Sequence, residues 1–205
     1  MVATLAAGAL LASAPAGADD AGTREAKRRF EEGIARTQAG DWEAARLSFR
    51  QSLAASASQN ALFNLALAEE KCARPLEALL HFKQYIEWPS LSQTDRTQAQ
   101  RHIADLFVKT GHIDVRAPAG AVFSVDAAKD VGTAPLSDPL DVAPGHHVIV
   151  ARMGAEAKTV DVNAVAGQVT RVAFQSEEPA PAAVRPPPAP VAIAEPPVAA
   201  LPPKP

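Results

Sequence analysis

The side chains of this 205-residue chain that could bind a metal or move a proton near neutral pH are His81, His102, His112, His146, His147 and Cys72. Their spacing supplies none of the combinations that such chemistry needs. Metal sites draw on His, Cys and carboxylates at short, regular separations, and no such run occurs. His146 and His147 are adjacent on a segment that reads as a strand, so their side chains point to opposite faces and cannot share one ion. The histidines are therefore expected at surface or turn positions. Cys72 stands alone, so it can form no intramolecular disulfide, and on a predicted helix it reads as a small buried hydrophobe. The sequence carries no glycine-rich phosphate loop, serine elbow or paired-carboxylate motif in a strand-turn-helix setting. No catalytic residue, metal ligand or cofactor is expected from it.

The elements that hold these residues emerge from patterning. Residues 26 to 88 repeat themselves 33 positions on: Phe30 matches Phe63, Ala45 matches Ala78, Phe49 matches Phe82, Leu53 matches Ile86, and Gly33 faces Ala66 as the small residue. A period near 34 with small and aromatic residues in this order predicts helix-turn-helix repeats. Gly40-Asp41-Trp42 marks the turn of the first pair of helices and Ala73-Arg74-Pro75 that of the second, since Pro is tolerated in the first turn of a helix and not inside one. A fifth helix is expected after Trp88-Pro89, where Ser92-Gln93-Thr94-Asp95 approximates a capping box and Ala99, Ile103, Leu106 and Phe107 recur at helical spacing. Gly111 is expected to end it. It feeds almost directly into Ile113-Asp114-Val115, which favours a helical part docked rigidly on the strand-forming part.

From Gly111 to Phe174 the pattern changes to short alternating segments with Ala121, Phe123 and Val125, then Val148 and Val150, then Val160 and Val162 on one face. Pro118-Ala119-Gly120-Ala121, Gly132-Thr133-Ala134-Pro135 and Pro144-Gly145 punctuate them as chain reversals. The reading is α+β: helical-hairpin repeats over residues 19–110, a small antiparallel all-β, sandwich-like domain over 111–176, and a disordered Pro- and Ala-rich tether over 177–205.

Composition narrows the setting. A net charge of −3, with 5% aromatic residues, provides no electrostatic footprint for nucleic acid. Arg24, Glu25, Lys27, Arg28, Arg29, Glu31 and Glu32 mix signs as a solvated helix face does. Residues 1–18 hold no charge, run apolar from Val2 to Ala12 and end in Ala16-Gly17-Ala18, which reads as a secretory signal peptide cleaved after Ala18. The run is shorter than the roughly 20 residues that span a bilayer. Export to the periplasm or cell envelope is expected, with membrane attachment only if an anchor follows Pro205.

The helical pattern Gly33, Gly40, Trp42, Ala45, Phe49 and Ser52, echoed by Ala66, Ala78, Phe82 and Tyr85, resembles the tetratricopeptide repeat family. The order Pro-Ala-Gly-Ala, Val125-Asp126, Gly132-Thr133-Ala134-Pro135-Leu136 and Pro144-Gly145-His146-His147-Val148 resembles the PEGA domain, a bacterial cell-surface β-module. Ala119 stands where that signature has Glu. Ala127-Ala128-Lys129-Asp130 replaces a tight glycine turn, so a longer hairpin loop is expected. The first resemblance implies a groove for extended peptides, with Lys27, Phe30 and Ile34 on one helix and Asn60, Asn64, Leu67 and Lys71 on the next. An asparagine such as Asn64 offers a peptide backbone both a donor and an acceptor, or else hydrogen-bonds within its own helix stack. The function these resemblances imply is a non-enzymatic envelope scaffold or adaptor that binds a protein or peptide partner. The alternative is a cell-wall glycan-binding module using the β-domain, whose aromatics, Phe123 and Phe174, are expected to point inward.

Overall fold

The computed structural model describes residues 17–126 and 128–174. The expected signal peptide up to residue 16 and the expected Pro-rich tether from residue 177 lie outside the described residues. Five helices come first: α1 (Gly17–Gln38), α2 (Trp42–Ala55), α3 (Gln59–Lys71), α4 (Pro75–Ile86) and α5 (Gln93–Phe107). Seven strands come after them: β1 (Gly111–Arg116), β2 (Val122–Val125), β3 (Ala128–Thr133), β4 (Leu140–Val142), β5 (Gly145–Met153), β6 (Glu156–Ala164) and β7 (Val169–Ala173). Helices and strands belong to one compact unit that closes at Phe174.

The helix boundaries are chemical. Asp41 caps α2 by accepting from the Ala44 amide at 3.2 Å, and Gly40 makes the preceding turn at φ +76°, a conformation open to a residue without Cβ. Ser58 caps α3, and Pro75 opens α4 where its missing N–H costs no bond. Ser92 caps α5 by accepting from the Asp95 amide at 3.1 Å, while its hydroxyl donates to Asp95 Oδ2 at 2.7 Å. Aspartate is one methylene short of the glutamate that would reach back to the cap amide, so it takes the serine proton instead.

Positions 33 apart make like contacts. Phe30 meets Phe49, and Phe63 meets Phe82, each pair with ring centroids 5.6 Å apart. Ala45 and Ala78 are both fully buried. The equivalence breaks at the small residue. Ala66 fits with its Cβ buried, whereas a Cβ on Gly33 would lie 2.5–2.9 Å from three ring atoms of Phe49. Phe49 is itself 1% exposed and packed on Phe30, so its ring has little room to give. Gly33→Ala is expected to cost about 1–3 kcal/mol of overpacking, offset in part by the ~0.5–1 kcal/mol that alanine gains over glycine inside a helix. A thermal melt lower than that of the parent checks it; an equal or higher melt would mean that the ring moves aside freely.

Two sheets make up the rest, one in the order β4-β1-β7 and the other β3-β2-β5-β6. Their inward residues form one core: Ile113, Val115, Val142 and Val172 from the first sheet, Phe123, Val125, Ile149, Ala151 and Val162 from the second. Phe123 and Phe174 do point inward.

Several expectations need correction. The strands are not all antiparallel, because β1 pairs β7 in parallel from His112↔Val169 to Arg116↔Ala173. On β5 the inward set is His147, Ile149 and Ala151, and Val148 and Val150 take the half-buried face. A one-residue change of phase exchanges the faces of a strand, and His147 fixes the phase through its contacts with Asp126 and the Ala143 carbonyl. The hairpin loop between β2 and β3 is short, with two positions between Val125 and Ala128. The extra length sits in β3, where Phe123↔Gly132 is followed by Val125↔Ala128, a bulge with Asp130 at φ +55°. Gly111 does not end α5, which is capped at Val108; it opens β1, where a Cβ would come within 2.7 Å of Ala164 Cβ.

Candidate functional site

Lys27 and Phe30 of α1, the Ser56-Ala57-Ser58 connection and Asn60 of α3 surround an open hollow of about 300 Å³, completed by Thr23, Ala26 and Ser52. Local structure explains the arrangement. Ser56 and Ser58 flank the break between α2 and α3, the latter as N-cap, so their short side chains leave space where two helices would otherwise close. Ser52, 1% exposed, ties the wall together by donating to the Ala26 carbonyl at 2.8 Å. Lys27 is largely exposed and lies 3.9 Å from Glu31, a spacing worth little in water.

Of the four partner-binding residues expected from the sequence, the hollow unites Lys27 and Asn60 and excludes the other two. Asn64 Nδ2 donates to the Asn60 carbonyl at 2.8 Å, so its amide is engaged within α3. Lys71 lies at the far end of α3, about 16 Å from Asn60 at the helical rise of ~1.5 Å per residue. There its ammonium stands 5.9 Å from the Trp42 ring centroid. Ile34 packs against the Ala45–Phe49–Leu65–Ala68 cluster and Leu67 against the cluster around Phe82, so both serve the core. Thr23, Ser56 and Ser58 escaped the sequence reading. Their signal was the run of small and hydroxyl residues between the two repeats, at a place chosen by chain reversal and not by periodicity.

The outer face of α1 is a ladder of ion pairs. Hydrogen bonds from Arg28, then Arg29, hold Glu25 below the usual carboxylate range, and Arg36 does the same for Glu32. Beside the turn from α3 to α4, Glu43 of α2 is held down to about 2, first by the Arg46 guanidinium and then by the Cys72 thiol. Cys72 is half-buried and caps α3, which corrects the expectation of a buried helical cysteine. Burial and its bond to Glu43 push the thiol upward, away from the nucleophilic thiolate.

The histidines differ most from expectation. Only His146 is strongly exposed; its Nε2 lies 3.6 Å from Asp161. His81 Nδ1 donates to the buried carboxylate of Glu69 at 2.6 Å, and His102 Nδ1 to Glu70 at 2.9 Å while its ring stacks on Phe82 at 4.7 Å. His112 is 1% exposed and His147 9%. His112 Nδ1 lies 2.8 Å from Asp141 Oδ1, and its ring stacks on Phe107 at 3.7 Å. The other oxygen of Asp141 accepts from Lys83 Nζ of α4 at 2.5 Å, which joins helices to strands. His147 Nδ1 lies 2.8 Å from Asp126 Oδ2. Every histidine thus faces a carboxylate from another element, a pairing that sequence spacing cannot reveal.

Among the described residues no group of three or more His, Cys, Asp or Glu side chains converges to hold a metal ion, and no helix is long and apolar enough to cross a membrane. Comparison with protein-family models, with curated proteins and with solved structures finds no match.

Proposed function

We propose that the chain is a non-enzymatic, exported scaffold or adaptor of the cell envelope. Its helices act as tetratricopeptide-like repeats that hold an extended protein or peptide segment, and its strands act as a PEGA-like, sandwich-like support. The observation that carries this reading is the hollow formed by Lys27, Phe30 and Asn60. It combines what an extended peptide needs: a half-buried aromatic wall, an amide that both donates and accepts, and an ammonium for a carbonyl or carboxylate. The occupied face is expected to be the α1–α3 end of the helices, not the whole length of α3, because Lys71 stands apart.

The test is the chain with a photo-crosslinkable residue at Ser56, exposed to envelope extract. A discrete protein adduct is expected that Phe30→Asp and Asn60→Arg each abolish, while Lys71→Glu leaves it intact. Adducts indifferent to both hollow substitutions would overturn the reading. Adducts lost only with Lys71→Glu would move the site to the other end of α3.

A further inference from the structure

Two of the buried histidines differ from the rest in how many acceptors they meet. His112 Nδ1 faces Asp141 Oδ1 at 2.8 Å, and Nε2 faces the Phe107 carbonyl at 3.0 Å. Thr110 Oγ1 also lies 3.3 Å from Nε2, but its own proton goes to the Leu106 carbonyl at 3.1 Å, so it too presents an oxygen. His147 repeats the arrangement, with Nδ1 2.8 Å from Asp126 Oδ2 and Nε2 2.7 Å from the Ala143 carbonyl. Carboxylate and carbonyl oxygens only accept, and a neutral imidazole has one N–H and one lone pair. Either ring in its neutral form would set a lone pair against an oxygen at one of its two contacts. The ring with two N–H groups satisfies both. His81 and His102 each make one such bond among the described residues, and a neutral ring suffices for that.

What the two rings hold is one segment. β4 is three residues long, lies at the edge of its sheet, and among the described residues has β1 as its sole strand partner. Its central residue, Asp141, is gripped by His112 of β1 and Lys83 of α4. The next residue after the strand, Ala143, is gripped by His147 of β5, whose other nitrogen reaches the turn after β2. The contacts of His112 and His147 therefore fasten the middle of β4 and the residue just after it, on a strand too short to hold itself by ladder bonds alone.

We propose that His112 and His147 form a proton-operated latch on the segment 140–143, closed while both rings carry two N–H groups and opening as rising pH takes one of them away. The latched segment binds protons that the released one does not, so closure is favoured at the lower pH and weakens as pH rises. Asp141 of β4 faces His112, and Lys83 of α4 lies on the same carboxylate. Asp126 faces His147, and the adjacent His146, on the other face of β5, lies against Asp161. Asp126 stays anionic throughout, since the Val148 amide and then His147 hold its carboxyl below the usual range.

The test uses the full chain with histidine rings labelled with ¹⁵N. At pH 5.5 both nitrogens of His112 and His147 are expected to report N–H. From pH 5.5 to pH 8.5 the amides of β4 are expected to lose about tenfold protection from hydrogen exchange beyond the intrinsic rise, the scale of one charge-assisted bond. His81→Gln and His102→Gln should keep that loss, and His112→Gln/His147→Gln should remove it. Rings with one N–H at pH 5.5, protection equal at both pH values, or a loss that persists in the double variant would each overturn the latch. The ring spectra of the parent protein decide the matter even if the double variant fails to fold.

Discussion

Phe123→Ala is expected to lower the stability of the protein by about 3–5 kcal/mol, the cost of emptying a large aromatic site in a packed core. Phe123 is fully buried, its ring centroid is 6.3 Å from that of Phe174, and it sits where residues of both sheets meet. The readout is urea denaturation tracked by far-ultraviolet circular dichroism. Because α5 runs into β1 with three intervening residues, and the Thr110 carbonyl accepts from the Gly167 amide at 2.8 Å, helices and strands are expected to melt in one transition displaced to lower urea. A helical signal that survives after the strands have gone would show that the two cores unfold separately.

Asp141→Ala is the second large effect, about 3 kcal/mol, because removing one partner of a buried charge cluster strands the others. The carboxylate is 6% exposed and its partners respond unequally. Lys83, 36% exposed, can turn toward water, whereas His112, 1% exposed, cannot. Lys83→Ala should therefore cost well under half as much, on the order of 1 kcal/mol. Asp141→Asn should fall between, since it keeps the volume and one acceptor. A denaturation series at pH 6 orders the three; equal losses for Lys83→Ala and Asp141→Ala would show that the lysine, not the histidine, makes Asp141 necessary.

The helical half was legible because its signals are local. Gly40-Asp41-Trp42 marks a turn, Ser92 caps and Pro75 starts a helix, each within a few residues, and Phe30 and Phe49 recur 33 positions on at Phe63 and Phe82. The β half was legible in its turns and not in its pairings. Alternation identified β2 correctly, but on β5 two valines outweighed a histidine. The inward preference of His147 comes from Asp126 and Ala143, which no periodicity can register. The parallel partnership of β1 with β7 and the bulge in β3 depend on which strands meet, and composition carries no record of that. The hollow holds Lys27 and Asn60, two of the residues that the repeat alignment names. Lys71, named by the same alignment, lies apart from the hollow beside Trp42, because alignment assigns a face of the helix and not a distance along it.

The partnership of β1 with β7 bears on how the chain acquires its structure. β1 emerges from the ribosome first among the described strands, and one of its two neighbours, β7, emerges last among them. Local helical hairpins can form as soon as they are made, but this loop must close over nearly the whole β half before it yields any contact, which makes it the slow, high-contact-order step. Until then the parallel edge of β1 is bare, and an unpaired strand edge is a template for association between chains. Under the export proposed for this chain, a closure deferred until the last strand is made would leave the β half unfolded during any transport that carries an unfolded chain.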